Sequence, residues 1–105
     1  MARRVVFTVR SPLGYPVTLT RDRWREILRY KHPAVAGSEQ AVRRCIEGPT
    51  LIRESAKEPA VHLYYAPAGR VNLCVVVAPA DRDERFVVTA YFTRNIKTGR
   101  ERWRS

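Results

Sequence analysis

The sequence predicts an α+β fold in which two helices pack on an antiparallel sheet of about four strands, with an N-terminal hairpin added. Three observations predict it. Apolar residues recur at helical spacing in two stretches before Pro49, and at period two or in β-branched runs after it. Each helical stretch carries its own start and stop signals. The runs after Pro49 are joined by short, turn-rich connections of the kind that link neighbouring antiparallel strands. A chain of 105 residues is enough for one domain with one core, so a single domain over 1–105 is expected.

Val5 to Val9 reads as a strand, Ser11-Pro12-Leu13-Gly14-Tyr15-Pro16 as a turn, and Val17 to Leu19 as the returning strand of a hairpin. Thr20 is placed to cap a helix from Arg21 to about Lys31, with Asp22 in the first turn, where the helix dipole favours an acid. Trp24, Ile27 and Leu28 form the buried stripe of that helix, and Arg25, Glu26 and Arg29 lie off it. Pro33 stops the helix and leaves His32 at its C-terminal end. A second helix is expected from Ser38 to Glu47, capped by Ser38 and ended by Gly48-Pro49, with Ala41, Val42, Cys45 and Ile46 on its apolar face.

Four strands follow: Leu51 to Ser55, Val61 to Ala66, Val71 to Ala78 and Phe86 to Thr93. Lys57-Glu58-Pro59, Pro67-Ala68-Gly69 and Pro79-Ala80-Asp81-Arg82-Asp83 supply the turns between them. The continuous run Leu73-Cys74-Val75-Val76-Val77 fits a central strand covered on both faces. The tail from Arg94 is basic, with a turn at Lys97-Thr98-Gly99-Arg100.

Composition narrows the function. Hydrophobic residues make up 45% of the chain, too many for a disordered tail. No apolar run approaches the roughly 20 residues that cross a bilayer, so no membrane partner is expected. The apolar stretch after Met1-Ala2-Arg3-Arg4 is too short for a signal peptide, which makes a cytoplasmic location the expectation. Lys and Arg number 20 against 10 Asp and Glu, for a formal net charge of +10. Only Lys31, Lys57 and Lys97 are lysines, so seventeen of the cations are Arg, the side chain that grips phosphates with a planar fork. A G+C-rich genome also favours Arg. The charge points to a polyanion such as RNA, or to an acidic protein partner. Cys45 and Cys74 belong to no CxxC pair and sit in apolar patterns, as buried thiols do. No metal or other cofactor is implied.

The acids lie in turns and on helix faces rather than in a carboxylate cluster, and no Gly-rich phosphate loop, GxSxG or local Cys-His pair occurs. Metal-independent RNA cleavage needs a base, an acid and cations around the phosphorane, and His, Glu, Tyr and Arg can supply them. His32, beside Lys31 and near Arg29, is a candidate acid or base; a helix-end His that caps carbonyls is the alternative. His62, in Val61-His62-Leu63-Tyr64-Tyr65, reads as an ordinary strand residue. Thr89, Tyr91 and Thr93 alternate and share one face of the last strand, leading to Arg94, while Val88, Ala90 and Phe92 face the core. The hydroxyl face suits a phosphate and a stacked base, or is simply solvated.

Ser11-Pro12-Leu13-Gly14, Val17-Thr18-Leu19-Thr20, Arg23-Trp24 and Ile27, His32-Pro33, Pro49, Leu73 to Val77 and Val87-Val88-Thr89-Ala90-Tyr91 follow one order over nearly the whole chain. That order resembles a family of small bacterial and phage proteins placed in the barnase–EndoU–colicin–RelE (BECR) nuclease superfamily. The resemblance implies a barnase-like helix-then-sheet fold and metal-independent RNA cleavage, in toxin–antitoxin or phage-associated settings. It carries over to His32 in the His-Pro motif and to Thr89 and Tyr91 in the Thr-Ala-Tyr motif. Where the family pattern has a His two residues after the Trp, this chain has Glu26, a candidate general base; a carboxylate beside Arg25 and Arg29 on a solvated helix face is the alternative. The interval from Ile27 to His32 is one residue longer than in that pattern.

The expected catalytic set is therefore His32, Thr89, Tyr91 and Glu26, with Arg25, Arg29, Arg94 and Lys97 to hold RNA. An endoribonuclease, a non-catalytic RNA- or polyanion-binding domain, and a module held by an acidic antitoxin-like protein all remain open at the level of sequence.

Overall fold

The computed structural model describes residues 4–80 and 84–105. Its strands are β1 (Val5–Arg10), β2 (Pro16–Thr20), β3 (Leu51–Glu54), β4 (His62–Ala68), β5 (Val71–Pro79), β6 (Arg85–Thr93) and β7 (Glu101–Arg104). Two α-helices, α1 (Arg21–Glu26) and α2 (Glu39–Glu47), lie between β2 and β3. Part of the expected turn between β5 and β6, Asp81-Arg82-Asp83, lies outside the described residues.

The expected architecture is corrected. All seven strands join one mixed sheet in the order β1-β2-β6-β5-β4-β3-β7. The opening hairpin is not an addition to a four-stranded sheet: β2 pairs in parallel with β6 through Val17↔Arg85 and Thr18↔Phe86. The tail supplies a further strand, β7, antiparallel to β3. The barnase-like arrangement of two helices on a four-stranded antiparallel sheet is thereby overturned. The physical reason is that both extra pairings join segments far apart in the chain, where no turn signal marks them.

The first helix also differs. It begins at Thr20, whose side chain accepts a hydrogen bond from the Arg23 amide at 3.2 Å. After Glu26 it widens into a π-helical turn over Ile27–Lys31, closed by the His32 amide donating to the Ile27 carbonyl at 2.7 Å. That bond spans five residues rather than four, so the turn holds one residue more than an α-helical turn would. A 3-10 turn follows over Pro33–Val35. Ser38 stands at the N-cap of α2 without a side-chain capping bond.

The helical layer covers one face of the sheet. Trp24, Ile27, Val35, Val42, Cys45 and Ile46 meet Val17, Leu19, Ile52, Tyr64, Leu73, Val75, Val87 and Ala90 in the main core. Alternation along the strands places Leu51, Leu63, Tyr65 and Cys74 on the opposite face, with Val76 and Tyr91 packed against them. β5 is thus covered on both faces. Phe92, expected in the core, is 38% exposed, and Val88 sits in the β-bulge where the register shifts between Thr89 and Val87. Among the described residues no helix is long and apolar enough to cross a membrane.

Candidate functional site

The face opposite the helices carries the most chemistry. After β6 the chain crosses back over β5, β4 and β3 to become β7, laying the segment 94–100 across this face. The Lys97 amide donates to the Tyr65 hydroxyl at 3.1 Å, and the Lys97 carbonyl accepts from Arg53 at 3.1 Å. Gly99 lies so close to β3 that a Cβ there would stand 2.0 Å from the Glu54 carbonyl oxygen. These contacts fix the backbone at Lys97, whose Nζ is 6.0 Å from the centre of the Tyr91 ring. Beside it opens a cavity of about 370 Å³ lined by Ser55, Ala56, Lys57, Leu63, Lys97 and Thr98.

His32 reaches the same ring from the other layer. β2 pairs with only the first two residues of β6, so the rest of that edge is covered by α1, the π turn and the 3-10 turn. His32, at the junction of those turns, lies half-buried with its ring centre 5.1 Å from that of Tyr91. Tyr91 is opposite Cys74 in the register, and its phenol and that of Tyr65 both interact with the Cys74 thiol. Burial, helped by that thiol, pushes the Tyr91 phenol well above its ordinary value. Burial likewise raises Cys74, and it lifts Tyr65 to about 12. At neutral pH all three keep their protons, so Tyr91 is a hydrogen-bond donor rather than a base.

The expected site residues divide. His32, Tyr91 and Lys97 converge. Thr89 lies on the same face, opposite Val76, but its hydroxyl oxygen is buried with no hydrogen-bond partner. Glu26 is on the exposed side of α1 and pairs with Arg23 at 3.2 Å. Arg25 is 3.8 Å from Asp22, and Arg29 lies over the Tyr30 ring at 5.7 Å. Arg94 is exposed just beyond β6. Lys57, Thr98 and Tyr65 were not anticipated; the alternation of Leu63 and Tyr65 in β4 was the signal for the last.

A second cluster, also unanticipated, lies on the helix-covered face. His62 opens β4, is buried, and its Nδ1 is 2.6 Å from the Tyr15 hydroxyl. Tyr15 continues to Tyr64 and Tyr64 to Ser11, each hydroxyl pair 2.5 Å apart, and Ser11 Oγ accepts from the Leu13 amide at 3.0 Å. The Arg85 guanidinium covers the Tyr15 ring at 4.3 Å. Burial above all, then Arg85 and Arg102, lowers His62 to about 4, so its imidazole is neutral at pH 7. Ser11 and Tyr64 are sealed in the core, which suits a clamp between the β1–β2 turn and β4 better than a substrate site.

Comparison with protein-family models, curated proteins and solved structures finds no match.

Proposed function

We propose that this protein binds RNA and cleaves it without a metal, using His32 as general base. The observation that carries the reading is the meeting of His32, Tyr91 and Lys97 from three separate elements on one strand position. In this scheme His32 takes the proton from a ribose 2′-OH, and the 2′ oxygen attacks the adjacent phosphorus. Tyr91, kept protonated by burial, donates to a non-bridging oxygen, and Lys97 offsets the charge of the phosphorane. The bond to the 5′ oxygen breaks, that oxygen takes a proton from water, and a 2′,3′-cyclic phosphate remains. The Lys57, Lys97 and Thr98 cavity is open to a neighbouring phosphate. The net charge of +10 supports capture of the strand.

The test is incubation of purified protein with several RNA classes in EDTA. Cleavage is expected from the wild type. His32→Ala should lose about 10²-fold or more in rate. Tyr91→Phe should fall less, and Glu26→Gln should match the wild type because Glu26 is turned to Arg23. Wild-type protein that leaves every RNA intact overturns the cleavage. Retention of RNA without turnover, weakening steeply with added salt, would identify a binding domain instead.

A further inference from the structure

Tyr30 is 75% exposed, more than any of the other large hydrophobic side chains at the described surface, which are Val5, Phe92 and Ile96. The π turn puts it there. The widened turn keeps Ile27 fully buried and brings His32 to Tyr91, and the ring of Tyr30 between them is left facing solvent. π turns inside helices often mark functional positions, because the extra residue is carried at a cost in regular hydrogen bonding. Arg29 lies against the ring, and with Arg25 and Leu28 it also lines an open hollow of about 360 Å³ on the same helical segment.

We infer that Tyr30 is a stacking platform for an unpaired base, so that the polyanion bound here is single-stranded RNA. This rests on the RNA reading given above. An aromatic ring with the Arg29 guanidinium over one face offers a base its other face and the flanking phosphates a counter-charge. Tyr30 lies two residues before His32, so a base on its ring belongs to a nucleotide close to the one whose phosphate meets His32 and Tyr91. A duplex cannot use such a platform, since its bases are already stacked on one another.

The experiment measures binding of an unstructured 2′-O-methyl RNA 12-mer, which cannot be cleaved through its 2′ oxygen, and of the same strand in a duplex, at one fixed salt concentration. Tyr30→Ala should weaken the single strand about tenfold. Tyr30→Phe should stay within about twofold of wild type, since stacking needs the ring and not the hydroxyl. Neither variant should change duplex binding. If wild type retains the strand and Tyr30→Ala binds it as tightly, the stacking inference is overturned while the RNA reading stands. Equal losses on strand and duplex also overturn it. Wild type that retains neither form overturns both.

Discussion

His62 shows how one buried imidazole sets the direction of a whole hydrogen-bond chain. Neutral at pH 7 and with its proton on Nε2, the imidazole accepts at Nδ1 from Tyr15, which leaves Tyr15 to accept from Tyr64 and Tyr64 from Ser11. Ser11 Oγ in turn accepts from the Leu13 amide, so every hydroxyl both donates and accepts. The folded protein takes up a proton on His62 only near pH 4, whereas an unfolded chain does so near 6.5. The stabilisation is therefore whole above pH 6.5 and lost as pH falls toward 4. At about 1.4 kcal/mol per tenfold change in proton affinity, the loss is about 3 kcal/mol. Urea unfolding at pH 7, 6, 5 and 4 measures it. His62→Asn keeps an acceptor toward Tyr15 but takes no proton, so its stability should fall less over that window; equal slopes for the two proteins would sink the account. Alternation could place His62 and Tyr64 on one face of β4. It could not bring the Ser11–Tyr15 turn to them, because no local pattern joins residues 47 positions apart.

Among the elements, the crossing segment 94–100 has the largest bearing on the site. It holds Lys97 over Tyr91, and it passes β3 only because Gly99 has no side chain. In Gly99→Ala the new methyl must displace the Glu54 backbone. The expected cost is about 1–3 kcal/mol, with faster amide exchange at Lys97 and across β7. Unchanged stability and exchange would show that the crossing does not depend on that contact. Lys97-Thr98-Gly99-Arg100 reads as a turn in the sequence, but in the structure it is irregular chain within the crossing segment. β7 itself is not legible, since Trp103 is the single apolar residue among its four and the other three are charged. Such a composition is what a protected sheet edge carries, and it hides a strand from any reading based on apolar alternation. β3 to β6 were legible for the opposite reason, their runs being apolar and their connections short. The start of α1 was visible in Thr20 and Asp22, but its π turn was not, because Trp24, Ile27 and Leu28 fit an α-helical stripe equally well.

For the whole molecule, strands β1 to β6 are two locally paired pieces joined at one short seam, and β7 adds to the edge at β3. The β3–β6 meander and the β1–β2 hairpin each close through nearby residues, and this is the part of the topology that the chain order makes visible. The parallel seam is not visible, because which hairpin strand meets which meander strand is decided only when both sit beneath the same helices. The candidate site shares this property: His32, Tyr91 and Lys97 could each be singled out, but their meeting depends on the edge of β6 left free beyond the seam. That two-pair seam also dictates an order of assembly. Closing Val17 onto Arg85 encloses most of the chain, so it follows the local pairings rather than leading them. The Ser11–Tyr64–Tyr15–His62 clamp spans the same gap and should be absent from the folding transition state. Tyr64→Phe is then expected to speed unfolding while leaving the refolding rate almost unchanged in stopped-flow denaturant jumps. A variant that instead refolds slowly would mean the two pieces dock first, and that the seam is the nucleus of the fold rather than its final closure.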